Sequence, residues 1–170
     1  PRLISGIQPT GRLHLGNYLG ALKNFVDLQN SGKYECYFFI ADLHALTENP
    51  DAKDLSANIV NLTADYLAAG LNPKKSVIFL QSAIPAHSEL WWILTTITPI
   101  GDLKRMPQFK DKMLEQTRKA LFERVPRIVR EGVLSDGVDM DQVTNAGLLY
   151  YPVLMAADVL LYNAKFVPVG

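Results

Sequence analysis

Residues 5–20 form the stretch Ser-Gly-Ile-Gln-Pro-Thr-Gly-Arg-Leu-His-Leu-Gly-Asn-Tyr-Leu-Gly. It begins inside the apolar run Leu3–Ile7 and leads into a segment with helical periodicity, so we predict a strand, a glycine-rich turn and a helix. Backbone N–H groups at such a turn point towards bound phosphates. His14 lies on the arm that enters the helix, where an imidazole can donate a hydrogen bond to a phosphoryl oxygen. The alternative is that the glycines only mark turns and His14 caps the helix.

The glycine spacing argues against two common classes of nucleotide site. The stretch lacks the Gly-x-Gly-x-x-Gly pattern of dinucleotide-binding folds and the Gly-Lys-Ser/Thr ending of Walker loops. A phosphate site here therefore belongs to another class.

Further along the chain, Cys36–Ala41 is apolar without alternation, which predicts a strand that is covered on both faces, and we predict a third strand over Ser76–Gln81. Segments with helical periodicity separate them. This order predicts an α/β fold with a Rossmann-like, doubly wound parallel sheet, and we expect residues 1–170 to form a single domain. The adjacent Trp91 and Trp92 cannot share one helix face, so we expect one in the core and one exposed.

Composition restricts the class of protein. Of 170 residues, 48% are hydrophobic and 20% are charged, which predicts one sizeable core. Seventeen basic and seventeen acidic residues cancel, so no chain-wide field attracts nucleic acid. Cys36 is the only cysteine, which excludes an intramolecular disulfide and a cysteine metal cluster and fits a reducing cytoplasm. We expect no membrane segment, and the missing initiator Met and the end at Gly170 lead us to expect a fragment, truncated at its C-terminus.

The opening stretch resembles the first signature of class I aminoacyl-tRNA synthetases, whose His-x-Gly-His appears as His14-Leu15-Gly16-Asn17. Its longer run, Gly-Ile-Gln-Pro-Thr-Gly and then Leu-His-Leu-Gly-Asn-Tyr-Leu-Gly-Ala-Leu, is similar to the tryptophanyl-tRNA synthetase family. The resemblance implies that His14 and Asn17 act in catalysis. It also implies ATP-binding roles for residues of this stretch: Gln8, Pro9, Thr10, Gly16 and Asn17.

Asp42-Leu43-His44 leaves the second predicted strand at its carboxyl end, the edge where such sheets bind ligands. Position alone favours a capping role for Asp42 and a satisfied, half-buried His44. The resemblance instead implies that His44 and Ala41 line the amino-acid pocket.

Asp158 is the only polar side chain between Pro152 and Leu161, and a buried carboxylate needs a partner. Position alone favours a structural partner such as a tyrosine hydroxyl or a lysine. The segment, however, resembles the family's Tyr-Pro-x-Leu-Met-Ala-Ala-Asp-Ile-Leu-Leu-Tyr, which implies that Asp158 accepts a hydrogen bond from the tryptophan indole. The residues that the resemblance assigns to tryptophan binding are Ile4, Gly6, Ala41, His44, Met155, Asp158, Val167 and Val169.

The segment 101–112 is charged, and such runs usually form solvated helices. It also resembles the family's Gly-Glu/Asp-Leu-x-Arg-Met-x-Gln-Phe-Lys-Asp-Lys, which implies that Gln108 and Lys112 approach ATP. A lysine beside the triphosphate is physically sensible because the leaving pyrophosphate gathers negative charge, so Lys112 joins the catalytic residues. The resemblance adds Gly170 to the ATP-binding set.

At residues 113–144 the resemblance lapses, and we predict an insertion. Residues 104–130 carry nine Lys or Arg against three acidic residues. A solvated excursion is the favoured interpretation of this patch, and contact with tRNA phosphates is the alternative.

Taken together, the resemblance implies a tryptophan–tRNA ligase that uses ATP with Mg²⁺ as a substrate complex, together with L-tryptophan and tRNA(Trp). It implies no tightly bound cofactor, no protein-held metal site, a cytoplasmic homodimer and a Lys-Met-Ser-Lys-Ser-like loop beyond Gly170. We expect residues 1–170 alone to be inactive. The alternatives are a tyrosyl-tRNA synthetase, a nucleotidylyltransferase, and a non-catalytic paralogue that only binds.

Overall fold

The structure is a computed structural model, and it describes residues 1–107, 109–114 and 145–168. The described residues form a parallel sheet of three strands, β1 (Arg2–Ile7), β2 (Glu35–Ile40) and β3 (Val77–Leu80), in the order β1-β2-β3. The predicted α/β fold with a parallel sheet is confirmed. The strand predicted over Ser76–Gln81 is shorter than expected, because the Ser76 backbone N–H donates to the Asn72 carbonyl in the preceding turn and Gln81 begins a 3₁₀ turn.

The edge of β1 opposite β2 is also paired, because a later segment of the chain returns to the sheet there. Phe166 forms a parallel bridge with Leu3, and the Ile4 N–H donates to the Phe166 carbonyl at 3.1 Å. From edge to edge the order is therefore the Phe166 segment, β1, β2 and β3.

Seven α-helices with named bounds connect these strands within the described residues. A first helical segment runs from Leu15 to Asn30, as its periodicity predicts, but its middle turn is π-helical. The bounds are α1 (Leu15–Asn17), the π turn (Tyr18–Leu22), α2 (Lys23–Asn30), α3 (Asp42–Ala45), a 3₁₀ turn (Leu46–Glu48), α4 (Ala52–Ala68), a 3₁₀ turn (Gln81–Ala83), α5 (Ala86–Ile97), α6 (Ile100–Arg105) and α7 (Ala146–Leu161).

Both ends of α4 follow from local chemistry. The Asp51 carboxylate caps its N-terminus by accepting from the backbone N–H of Lys53 at 2.8 Å. Gly70 follows the C-terminus with a φ of +109°, a conformation that glycine adopts without steric cost.

The two faces of the sheet bury separate apolar clusters, as alternation along each strand requires. On one face, Phe38 of β2 stacks on Phe25 of α2 with ring centroids 4.6 Å apart, beside Tyr66 of α4. On the other face, Ile4 and Phe39 pack against α7 and the residues that follow it. Helices thus cover both faces, as expected for a doubly wound sheet.

The adjacent tryptophans differ in exposure as expected, but neither lies in the core. Trp91 is partly buried and its indole N–H donates to the Tyr150 carbonyl, whereas Trp92 is 62% exposed. Nearly all of the predicted insertion at 113–144 lies outside the described residues, and a single domain over 1–170 stays a prediction. Among the described residues, no helix is long and apolar enough to cross a membrane.

Candidate active site

The candidate site lies at the carboxyl end of β1. The chain steps from β1 to β2 to β3 in one direction and then returns to the opposite edge at Phe166. The connections that follow β1 and its two neighbours therefore diverge at the carboxyl end of the sheet. They leave a crevice between them, and open α/β sheets bind ligands in such a crevice. The glycine-rich turn opens into this crevice.

At the turn, His14 is the N-cap of α1. Its Nδ1 accepts from the Asn17 backbone N–H at 3.3 Å, and the Asn17 side-chain oxygen accepts from the His14 backbone N–H at 3.2 Å. The capping interpretation of His14 is therefore correct, yet it leaves the exposed ring available. Because Nδ1 accepts, a neutral imidazole carries its proton on Nε2, which becomes a donor for a ligand.

Gly16 permits the close approach of this imidazole. A Cβ at position 16 would lie 2.9 Å from the His14 Cε1 atom, closer than real Cβ contacts come. The glycine of this signature therefore makes room for the histidine of the same signature.

Beside the turn, a cavity of about 380 Å³ opens between the sheet and α7. All predicted tryptophan-binding residues within the described part of the chain line it; Val169 lies outside that part. Their ligand role stays a prediction. Phe39, Tyr151 and Val159 also form the wall, and no sequence signal distinguished them from ordinary core residues. The lining residues that had been predicted are Ile4, Gly6, Ala41, His44, Met155, Asp158 and Val167.

Gly6 shapes the floor of this cavity. A Cβ built there would lie 2.8 Å from the Phe39 carbonyl oxygen and 2.8 Å from its ring. Since a backbone carbonyl in a sheet cannot move aside cheaply, only glycine fits beside Phe39.

Asp158 is 2% exposed and is held by three side chains. Its Oδ2 lies 2.8 Å from His44 Nε2. Its Oδ1 lies 2.6 Å from His87 Nδ1 and accepts from Gln81 Nε2 at 2.8 Å. The expectation that this carboxylate needs a partner is confirmed, but a tyrosine or lysine partner is wrong, because two imidazoles and an amide fill that role.

The network also sets the charge of the carboxylate. Burial by itself raises the pKa of Asp158, but hydrogen bonds from His44, His87 and Gln81 outweigh burial, so the pKa of Asp158 lies below its ordinary value. Asp158 is therefore ionised at neutral pH and acts only as an acceptor.

Sequence reasoning missed Gln81, His87 and Tyr162, whose hydroxyl lies 2.9 Å from His87 Nε2. One signal could have found Gln81: it directly follows a strand at the same edge of the sheet as Asp42. Asp42 itself does not line the cavity; its carboxylate accepts from the Ser82 backbone N–H at 3.0 Å and ties α3 to the turn after β3. Asp42 therefore has a structural role here. Its partner is the backbone N–H of Ser82, which is farther along the chain than the local helix cap that the position of Asp42 favours.

A second, polar cleft of about 530 Å³ adjoins the turn. Gln8, Pro9, Thr10 and Lys112, all predicted to bind ATP, line it together. The Lys112 ammonium donates to Glu48 Oε1 at 2.8 Å and lies 5.8 Å from the Tyr151 ring. Gly16 and Asn17 do not line this cleft, and Gln108 and Gly170 lie outside the described residues.

A glycine-rich turn that leads from a strand into a helix and a Rossmann-like sheet with a switch point at β1 are the features of nucleotide-binding α/β proteins. A family model described as "tRNA synthetases class I (W and Y)" matches residues 1–170, and the chain belongs to this family of class I aminoacyl-tRNA synthetases.

Among its relatives, the tryptophan–tRNA ligase of Fusobacterium nucleatum is 48% identical over 99% of this chain and 44% of its own length. That of Rickettsia conorii is also 48% identical, over 99% and 43%. The chain thus spans less than half the length of these curated relatives.

Solved structures give the same fold. The tryptophanyl-tRNA synthetase of Campylobacter jejuni, complexed with ADP and tryptophan, matches with a TM-score of 0.76 and 39% identity over 100% of this chain and 45% of that one. A tyrosyl-tRNA synthetase from Archaeoglobus fulgidus, complexed with L-tyrosine, matches with a TM-score of 0.65 at 20% identity over 98% of this chain and 44% of that one, which shows the fold alone.

Proposed function

We propose that the full-length protein is a tryptophan–tRNA ligase. In this reaction a carboxylate oxygen of L-tryptophan attacks the α-phosphorus of ATP, the bond to the bridging oxygen breaks, and pyrophosphate leaves with the electron pair. Tryptophanyl-adenylate remains and passes its acyl group to tRNA(Trp). Mg²⁺ enters with ATP as part of the substrate.

The observation that carries the proposal is that Gln8 lies in the wall of both cavities. On one side of Gln8 is the mostly apolar cavity that ends at Asp158, and on the other is the polar cleft that contains Lys112. An amino acid whose ring fills the first cavity would present its carboxylate near Gln8 to a nucleotide in the second. Such positioning of two reactants supplies much of the rate enhancement in an adenylation.

Selection of the amino acid rests on Asp158. Its Oδ1 already accepts from His87 and Gln81, whereas within the part of the chain that the structure describes its Oδ2 accepts from His44 alone and keeps one lone pair for an indole N–H. A site built around a hydrogen bond rejects analogues that lack the donor far more strongly than an apolar slot does. The names of the relatives and the Campylobacter complex with ADP and tryptophan support this substrate.

Charge stabilisation rests on the turn and the cleft. The Nε2–H of His14, the Asn17 amide and the Lys112 ammonium supply donors for phosphate oxygens, as do the backbone N–H groups of the turn. Lys112 shares its charge with Glu48 in this structure, so we expect the incoming triphosphate to compete with Glu48 for the ammonium. Gln108, Gly16 and Gly170 remain in the proposed ATP-binding set.

We further infer a cytoplasmic homodimer. The exposed apolar side chains on α5, Trp92, Ile93 and Ile97, support a protein contact at this helix, since large exposed apolar patches mark interfaces. The subunit state of the full-length protein is measurable by sedimentation equilibrium, in which a monomer would count against this inference.

Tyrosine is the second candidate substrate. The family model covers both W and Y enzymes, and a phenolic O–H could also donate to the Oδ2 atom of Asp158. The two substrates differ in the ring that must fill the cavity.

The test is amino-acid-dependent ATP–pyrophosphate exchange by the full-length protein with tryptophan, tyrosine and phenylalanine. We expect exchange with tryptophan, and a kcat/KM at least about 100-fold lower with the other two amino acids. Exchange that is equal for tryptophan and tyrosine, or absent with every amino acid, would refute the assignment.

A further inference from the structure

The cavity between the sheet and α7 is here called the amino-acid cavity. A row of hydrogen bonds runs from Asp158 away from this cavity. His87 Nδ1 lies 2.6 Å from Asp158 Oδ1, and His87 Nε2 lies 2.9 Å from the Tyr162 hydroxyl oxygen. The His87 side chain is fully buried, and neither it nor Tyr162 is among the described residues that line the cavity. These two side chains therefore do not line the cavity themselves, and their hydrogen-bonded connection to it runs through Asp158.

The partners fix where the protons lie. A neutral imidazole has one donor nitrogen and one acceptor nitrogen. Because the Asp158 carboxylate only accepts, the neutral form of His87 donates from Nδ1, and its Nε2 then accepts from the Tyr162 O–H. Burial, followed by the charge of Asp158, raises the pKa of Tyr162 to about 12, so the hydroxyl keeps its proton at neutral pH.

This row also decides which carboxylate oxygen faces a ligand. His87 and Gln81 together occupy both acceptor positions of Oδ1. A rotation of the carboxylate would break both of these bonds, so Oδ2 stays beside His44, which lines the cavity. The free lone pair of Asp158 is thus held on the cavity side.

We propose that His87 is a positioning residue for amino-acid recognition, and that Tyr162 holds His87 in the tautomer that keeps Oδ2 of Asp158 turned to a ring N–H donor of the substrate. The inference rests on the proposed function, since it takes the aromatic ring of the substrate to fill this cavity. A merely structural role for the row would affect folding, or all substrates equally.

The variant that isolates the row is Tyr162→Phe in the full-length protein, because it removes one hydroxyl and keeps the ring. Tyr37→Phe is the matched control. The two rings pack 5.3 Å apart, but the Tyr37 hydroxyl donates to Glu35 Oε1 at 2.6 Å rather than towards Asp158. The two substrates are tryptophan and β-(3-benzothienyl)alanine, in which sulfur replaces the indole N–H.

In pyrophosphate exchange, we expect Tyr162→Phe to raise the KM for tryptophan about 2- to 12-fold, the range that one net hydrogen bond spans. The KM for the sulfur analogue, the KM for ATP and kcat should stay at their parent values. Tyr37→Phe should leave the KM for both amino acids unchanged.

Substitution of the histidine gives an independent readout. His87→Asn keeps an amide donor for Oδ1 and should retain most of the preference for tryptophan over the sulfur analogue, whereas His87→Leu removes the donor and should lose more of it. If one variant fails to fold, the other variants carry the test.

A change of KM in Tyr162→Phe that is equal for tryptophan and the sulfur analogue, or no change for either, would overturn the positioning role. Failure of the proposed function would look different, because the parent protein itself would then show no tryptophan-dependent exchange.

Discussion

The amino-acid cavity and the polar cleft share Gln8 but are built in opposite ways. In the cavity, the one carboxylate is buried and held by three side chains from three different segments. In the cleft, the ammonium of Lys112 is partly exposed and paired with a neighbouring carboxylate. Under the proposed roles, the groups that select the substrate are fixed in advance by the fold, whereas a group that stabilises reaction charge changes partner when the ligand arrives.

The largest effect should follow from a substitution in the hydrogen-bond network of the amino-acid cavity. Asp158→Ala removes the proposed acceptor of the indole N–H, and a hydrogen bond to a charged group contributes about 1.5–3 kcal/mol. Tryptophan use in pyrophosphate exchange should therefore weaken about 10- to 150-fold, with the KM for ATP nearly unchanged. Discrimination against phenylalanine should shrink as well.

Melting temperatures of the Asp158→Ala variant and the parent supply the control. A folded variant with unchanged tryptophan kinetics would refute the role of Asp158. A variant that fails to fold would instead assign Asp158 to structure alone.

In the polar cleft, Lys112→Met tests the exchange of partners, because it removes the ammonium and keeps much of the apolar stem. We expect kcat of exchange to fall roughly tenfold, the lower end of the range for a charged hydrogen bond, because the ammonium is partly exposed, and we expect the KM for tryptophan to be retained. Glu48→Gln is the matched variant, because it removes the competing carboxylate. Glu48→Gln should leave the KM for ATP unchanged or lower it. A raised KM for ATP in this variant would contradict the exchange of partners.

A smaller effect should follow from Gly16→Ala. The added Cβ would meet the His14 imidazole, a side chain that can rotate away, so the melting temperature should stay within about 2 °C while kcat falls several-fold. Gly20→Ala is the control, since a Cβ there meets nothing within 4 Å. Equal kinetics for both variants would show that the position of His14 does not matter for exchange.

The smallest effect should appear in alkaline unfolding. Because the pKa of Tyr162 is raised from 10.0 to about 12 in the folded protein, the folded state retains a proton that the unfolded state loses first. Stability from this group is therefore present below about pH 10 and declines as the pH rises from 10 towards 12. Melting temperatures between pH 9 and 11 should fall less steeply in Tyr162→Phe than in the parent, and identical slopes would count against the buried hydroxyl.

Much of the fold could be predicted because its signals are local. Unbroken apolar runs such as Cys36–Ala41 indicate covered strands, and the cap at Asp51 and the glycine at position 70 bound a helix through backbone chemistry. The π turn at Tyr18–Leu22 and the early end of β3 have no comparable local signal. They depend on packing and on hydrogen bonds between distant segments.

The features of the site also divide into those with a local sequence signal and those without one. The isolation of Asp158 in an apolar helix predicts that it needs a partner, but His44, Gln81 and His87 lie 114, 77 and 71 residues away along the chain. Local periodicity carries no information about such pairings, and a buried histidine in a helix resembles any other. Only the topology of the sheet brings these three segments to one carboxylate.

Recognition of the tryptophan indole by Asp158 in this cavity can be observed in a crystal structure of the full-length protein with bound tryptophan. We predict the indole ring between Phe39 and Met155, with its nitrogen about 2.7–3.2 Å from Oδ2 of Asp158 and with the Oδ1 bonds to His87 and Gln81 intact. An indole bound elsewhere, or in this cavity with its nitrogen turned away from Asp158, would contradict the account.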